Sequence, residues 1–303
     1  MKFEVTILGS SSATPIFNRN PSAQVLNANE RLFLIDCGEG TQQQLLKNSI
    51  KAQRLNHIFI SHLHGDHYLG LVGLLSSLHL YGRTRPMNIF GPPELKEILD
   101  IQFKYSQTDL RYPIEFHATQ VQRNELIYEN PDIRVETFPL EHRIPCTGFR
   151  FNQKKRLPKI LKEKVDELHI PIDMIPLIKR GVDFTDKQGV IHAAAELTQE
   201  ADPPRSYAYC SDTICNWKYI EQIQGVSTLY HEATFMHDMA ARAAETFHTT
   251  SLQAAQIAEK AGAEQLLLGH FSARYRELEP LQDEARTVFS NSRLALEGHT
   301  FTV

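Results

Sequence analysis

Phe3, Val5 and Ile7 alternate with polar neighbours before Gly9-Ser10-Ser11-Ser12, a period-two pattern that predicts an edge strand running into a flexible loop. Leu32–Ile35 is a short apolar run ending at Asp36-Cys37-Gly38-Glu39-Gly40, again a strand followed by a tight turn. His57–Ile60 predicts another strand, and Tyr68–Val72 beyond it can open a helix. The rhythm continues with a strand at Ile89-Phe90, a helix from about Glu94 to Phe103, and strands near Ile114–Phe116, Ile133–Leu140 and Gly148–Phe151. In the second half it predicts strands at Tyr207–Cys210, Thr228–Tyr230 and Leu266–Leu268, with helices near Trp217–Ile223, Ser251–Ala261 and Leu281–Phe289. The Ser251–Ala261 helix carries a capping box in Thr250 and Gln253 and a left-handed stop at Gly262. A closing strand is expected over Leu294–Val303. Two halves of similar order point to a pseudo-duplicated α/β sandwich, two sheets inside and helices outside.

One stretch breaks the rhythm. Residues 152–188 are rich in charge and interrupted by Pro158, Pro171 and Pro176, with too few apolar positions for a core of their own, so they read as a protruding arm. Its start, Gln153–Lys164, crowds six cationic residues: Lys154, Lys155, Arg156, Lys159, Lys162 and Lys164. A net charge of −4 nevertheless argues against nonspecific coating of nucleic acid, which depends on many Lys and Arg neutralising phosphates. With 303 residues the chain can build a large buried core. No apolar run approaches the roughly 18–20 residues of a membrane span, and the opening Met1–Val5 lacks a secretory apolar region, so a cytoplasmic protein without membrane attachment is expected. Cys37, Cys146, Cys210 and Cys215 form no CxxC pair and are expected to be reduced core residues.

Chemistry concentrates where strands end. The strand at His57–Ile60 leads into His62-Leu63-His64-Gly65-Asp66-His67, three imidazoles and a carboxylate within six positions, a donor set that suits zinc and similar borderline cations. A dinuclear site needs about seven protein donors, so others must come from elsewhere in the chain. His142 after Phe138–Leu140, Asp212 after Tyr209–Ser211 and His270 after Leu266–Leu268 are metal-capable residues that each stand one or two positions beyond an apolar run.

HxHxDH followed by His, Asp and His at strand ends resembles the metallo-β-lactamase superfamily. Further segments resemble the ribonuclease Z family of tRNA 3′-processing endonucleases: Gly9–Pro15 with Arg19-Asn20, Asp36–Gln42, His231-Glu232-Ala233-Thr234, His248-Thr249-Thr250 and Gly269–Tyr275. That resemblance implies a single domain, 1–303, built as an αβ/βα four-layer sandwich of two mixed β-sheets with an inserted tRNA-binding arm at about 152–188. It implies two zinc ions per subunit, one held by His62, His64 and His142, the other by Asp66, His67 and His270, with Asp212 between them. Asp66 is then the proton acceptor, and His248, partnered by Glu232, donates a proton to the departing ribose 3′ oxygen. Asp36 is expected to hydrogen-bond a ligand histidine. The substrate implied is precursor tRNA, cut to leave a 3′-hydroxyl on the tRNA and a 5′-phosphate on the trailer. Lys154, Lys155, Arg156, Lys179, Arg180 and Arg274 are its implied phosphate contacts, in a homodimer whose arms reach across.

Two departures from the family pattern stand out. Ile170–Met174 replaces the usual Gly-Pro arm tip, and Phe17 stands where lysine is common, free to stack on a base or to pack within its loop. His248 also reads as a histidine at a helix start bonding backbone, and Glu232 as a helix-capping carboxylate. At the level of function the alternatives are another metallo-hydrolase of the superfamily, acting on small phosphodiesters or esters, and a noncatalytic RNA-binding scaffold.

Overall fold

A computed structural model describes residues 2–16 and 19–303; Phe17 lies outside them. The chain divides into one unit of residues 1–152 and 205–303 and a second of 153–204.

In the first unit, seven strands form a sheet in the spatial order Thr300–Thr302, Phe3–Gly9, Ala23–Ala28, Arg31–Cys37, Leu55–Phe59, Met87–Gly91, Ile114–Ala118. Neighbours pair antiparallel as far as Arg31–Cys37 and parallel beyond it. The other sheet runs Ser292–Leu294, Gln265–Gly269, Thr228–Glu232, Ser206–Cys210, Cys146–Gln153, Ile133–Leu140, Glu125–Glu129. Its first four strands are mutually parallel. Parallel strands require crossover helices and are therefore covered on both faces, which is why Ser206–Cys210 and Thr228–Glu232 are buried at every position.

Alternation decides which layer each side chain joins. Phe3, Val5, Ile7, Phe33, Phe59 and Phe90 of one sheet meet Val135, Phe149, Phe151, Tyr207, Tyr209 and Tyr230 of the other in the central layer. Phe59 stacks on Phe90 with ring centroids 4.7 Å apart and meets Phe151 edge-on at 5.3 Å. Helices Thr41–Lys47, Leu71–Leu80 and Glu94–Tyr105 bury Leu45, Leu74, Leu78 and Leu95 against the outer face of the first sheet. Ile220–Ile223, Ser251–Ala261 and Glu279–Arg286 do the same for the second sheet through Ile223, Ala254, Ile257 and Leu281. The result is the expected αβ/βα sandwich of two mixed sheets. Thr250 and Gln253 form the capping box in both directions, and Gly262 closes that helix at φ 63°. Among the described residues no helix is long and apolar enough to cross a membrane. All four cysteines are free thiols, three of them buried.

Some expectations need correction. Phe3–Gly9 is an interior strand, because the closing segment returns along its outer side. That segment is two strands rather than one: Ser292–Leu294 edges the second sheet and Thr300–Thr302 the first, with Gly298 at φ 81° turning the chain between them. Glu125–Glu129 was not anticipated as a strand; it is a half-exposed edge pairing with Ile133–Leu140. The helix expected near Trp217 begins only at Ile220.

The second unit also differs from expectation. It runs to Pro204 instead of ending near Gln188, and it does have a small apolar centre: Ile170, Ile178, Phe184, Ala194 and Leu197. The last two lie beyond the expected boundary. They are brought back because Thr198–Gln199 pairs antiparallel with Lys159–Ile160 and the Ala194 N–H donates to Asp183 Oδ1 at 2.8 Å. At the atypical tip Ile170 is buried while Ile172 is 85% exposed.

His57 provides a test of the core. It packs on Phe33 and Tyr128, and burial, with Arg31, His117 and Arg83 nearby, pushes its pKa down to about 4. The unfolded chain takes up this proton near pH 6.5 and the folded chain only near 4, so stability should fall as pH drops through that window. In urea titrations the native protein should lose more stability than His57→Phe between pH 7 and 4.5; parallel losses would count against the assignment.

Candidate metal centre

The loop after Leu55–Phe59 is held against the turn after Arg31–Cys37 at backbone contact. A Cβ on Gly38 would lie 2.3 Å from the Asp66 carbonyl oxygen, and one on Gly70 would lie 2.2 Å from that of Gly38. Only hydrogen at both positions allows this approach. The loop thereby directs His62, His64, Asp66 and His67 toward the ends of Ile133–Leu140, Ser206–Cys210 and Gln265–Gly269, which deliver His142, Asp212 and His270.

The seven candidate donors meet as two sets. In one, His64 Nδ1 lies 3.1 Å from both His62 Nε2 and His142 Nε2, and Asp212 Oδ2 lies 3.7 Å from each of the latter two. In the other, His270 Nε2 is 3.3 Å from Asp66 Oδ2 and 3.2 Å from Asp212 Oδ1, while His67 Nε2 is 3.4 Å from both oxygens. A tetrahedron with bonds of 2.0–2.1 Å has edges of about 3.3–3.4 Å, close to these spacings. Asp212 turns one oxygen to each set.

Outer hydrogen bonds fix the ring orientations. The His67 Nδ1–H donates to Asp36 Oδ2 at 2.7 Å, and Asp36 also accepts from Tyr209 Oη, Ser61 Oγ and the Ser61 N–H. Ser61 Oγ lies 3.0 Å from His62 Nδ1. His142 Nδ1 donates to the Phe247 carbonyl at 2.9 Å, and His270 Nδ1 lies 3.0 Å from Thr234 Oγ1. In each case the outer nitrogen is engaged and the inner nitrogen is turned to the centre.

Chemical fit to a cation follows from what the centre lacks. His67 Nε2 is buried without a hydrogen-bond partner, 3.4 Å from two carboxylate oxygens. Burial disfavours charge on both Asp66 and Asp212, yet the surrounding histidines hold both well below the usual carboxylate range, so they are anions. Burial lowers His62, His64 and His142, which keeps them neutral and able to ligate. His67 shifts upward: burial opposes its charging, but Asp66, Asp212 and Asp36 surround it, and a proton occupies the place that a cation would take.

Beside this centre, Glu232 is completely buried and accepts from the Thr213 and Thr234 N–H groups and from Thr234 Oγ1. His248 Nδ1 donates to Glu232 Oε1 at 2.9 Å. Burial opposes charge on His248, but the Glu232 carboxylate outweighs it and pushes the pKa up to about 9. His248, Asp66 and Arg274 line one cavity of about 510 Å³ with His64, His142, Asp212 and His270, and Arg274 lies over the Phe235 ring. Lys154, Lys155, Arg156, Lys179 and Arg180 belong instead to the 153–204 unit.

The family model described as the anti-Pycsar protein Apyc1 matches residues 3–200, a span that stops short of Asp212, Glu232, His248 and His270. Relatives extend over the whole site. A ribonuclease Z of Bacteroides fragilis is 47% identical over 297 residues, 98% of either chain, and one of Cytophaga hutchinsonii is 48% identical over 304 residues, covering 100% of this chain and 97% of its own. The chain belongs to the ribonuclease Z family. The crystal structure of human tRNase Z, short form, superposes with a TM-score of 0.72 at 27% identity, covering 99% of both chains. The metallo-β-lactamase fold protein YhfI of Bacillus subtilis shares the fold with a TM-score of 0.70 at 20% identity, over 99% of both chains.

In this family member several site residues escaped the sequence reading. Thr234 bonds both Glu232 and His270 and was visible only as part of the His231–Thr234 motif. Arg143 and Arg242 line the cavity without any sequence signal of their own. Glu297 is the least legible. It accepts from the Ser10 N–H at 3.3 Å, the Asn20 N–H at 2.5 Å and Asn20 Nδ2 at 2.7 Å, and so closes both ends of the loop whose Ala13 N–H donates to Asp66 Oδ2. Glu297→Ala should therefore speed hydrogen exchange at Ser10, Ala13 and Asn20 by tenfold or more, about 1.4 kcal/mol of opening energy. Unchanged exchange there would refute the clamp.

Proposed function

We propose that the protein is a zinc-dependent endoribonuclease that removes the 3′ trailer from precursor tRNA, leaving a 3′-hydroxyl on the tRNA and a 5′-phosphate on the trailer. The carrying observation is the pair of donor sets sharing Asp212, in a chain whose relatives over nearly their full length are named ribonuclease Z. In this reading His62, His64 and His142 hold one zinc, Asp66, His67 and His270 the other, and Asp212 contacts both. Two such cations, when bound, supply an activated water and neutralise charge on the phosphodiester oxygens.

The chain's own groups handle the protons. Asp66 Oδ2 is engaged by Ala13 and two imidazoles, which leaves Oδ1 to take the proton of the attacking water. His248 keeps Nδ1 on Glu232 and directs Nε2 to the cavity, where it protonates the departing 3′ oxygen of the tRNA. Glu232 supports this by holding the imidazole charged before transfer and oriented throughout. Arg274 faces the same cavity, in reach of a phosphate.

The 153–204 unit, with Lys154, Lys155, Arg156, Lys179 and Arg180, is the tRNA-gripping arm in this reading, and the working form is a cytoplasmic homodimer. Resemblance to the family supports both statements.

Purified protein should cut precursor tRNA, and a chelator should stop it. Asp66→Ala should abolish cleavage while tRNA binding persists in gel shifts; undiminished cleavage would remove the mechanism. His248→Ala should lower kcat by roughly 10²–10⁴, the usual worth of a general acid. Deleting the arm should spare a small chromogenic phosphodiester and cripple tRNA turnover; equal loss on both would favour a small-molecule hydrolase.

A further inference from the structure

One buried imidazole has no part in the chemistry above. His231 opens the His231–Thr234 segment, is fully buried, and stands in register between Cys210 and Leu268 inside the parallel sheet. Its Nδ1 lies 2.7 Å from the main-chain carbonyl oxygen of Glu232, and its Nε2 lies 2.7 Å from Tyr219 Oη. A carbonyl oxygen can only accept, so Nδ1 carries the proton; the Nε2 of a neutral imidazole then accepts from the tyrosine hydroxyl. Burial holds the His231 pKa below its ordinary value and the Tyr219 pKa well above its own, so both groups stay neutral, as this arrangement needs. Tyr219 stands just before helix Ile220–Ile223, and its ring stacks on Phe138.

The peptide group between Glu232 and Ala233 is thereby held from both sides. Its carbonyl accepts from His231, and its N–H donates at 2.8 Å to the carbonyl of Gly269, the residue before His270. The side chain that leaves this peptide is the Glu232 carboxylate, which accepts from His248 Nδ1 at 2.9 Å. We infer that Tyr219 and His231 are positioning residues for the proton donor: Tyr219 fixes the His231 tautomer, His231 fixes the Glu232 main chain, and Glu232 thereby aims His248. The inference rests on the role proposed for His248. Both imidazole nitrogens are committed, and one of them holds the backbone of the residue that orients His248, which packing alone does not require.

Tyr219→Phe, His231→Leu and His231→Asn test the relay. The asparagine amide stands near the place of Nδ1 and can still donate to the Glu232 carbonyl, whereas leucine cannot. Both His231 variants lose the Tyr219 bond and should melt lower than native protein, so lost stability does not separate them. On precursor tRNA, Tyr219→Phe and His231→Leu should lower kcat roughly tenfold with KM unchanged, a part of the 10²–10⁴ worth of a general acid. His231→Asn should recover most of that loss. A small chromogenic phosphodiester releases nitrophenolate, which departs without a proton, so the loss should be confined to tRNA. Amide exchange at Thr213 and Thr234, whose N–H groups donate to the Glu232 carboxylate, should quicken in Tyr219→Phe and His231→Leu and less in His231→Asn. Native kcat on tRNA in Tyr219→Phe and His231→Leu, a loss in His231→Asn as deep as in His231→Leu, or equal loss on both substrates would overturn the relay. Cleavage of precursor tRNA by His248→Ala at the native rate would sink the reading of His248 instead, and the exchange rates would then still decide whether the pair holds Glu232.

Discussion

Five imidazoles and two carboxylates turned inward on one small volume are the constraint on which the rest of this structure depends. Their inner atoms stand 3.1–3.7 Å apart, and the buried His67 Nε2 among them has no hydrogen-bond partner. Such an array is self-repelling unless positive charge fills it. The first sheet provides four of the donors through one loop and the second sheet the other three through separate strand ends, so a charge at the centre draws both halves of the sandwich together. The Tyr209–Asp36 hydrogen bond links the same two sheets just behind the donors.

The supporting shell shows how far the fold is committed to this arrangement. Asp36 sits at φ 53° and His270 at φ 56°, a left-handed backbone that non-glycine residues adopt at a cost. At each position the conformation delivers a side chain to the centre. Thr234 and Glu232 then connect His270 to His248, so the His248 imidazole is set from the same strand ends as the donors.

Much of this was legible because the donors follow closely on short apolar runs: a strand buried on both faces must end where polarity begins, and metal-capable side chains are visible there. Asp36 and the Glu232–His248 pair were reachable through motifs. The misses have a common cause. Phe3–Gly9 reads as an edge until a segment almost three hundred positions away returns beside it, and Glu125–Glu129 is too exposed to show an apolar stripe. The extent of the 153–204 unit depends on Thr198 finding Ile160. Glu297 and Arg143 matter only through distant partners, for which local pattern has no signal.

The central claim is that Asp212 faces two cation positions at once. Crystals grown with excess zinc and recorded at its absorption edge test this directly. Two anomalous peaks flanking the Asp212 carboxylate, one among His62, His64 and His142 and the other among Asp66, His67 and His270, are the expected result. A single peak, or zinc bound away from Asp212, would contradict it.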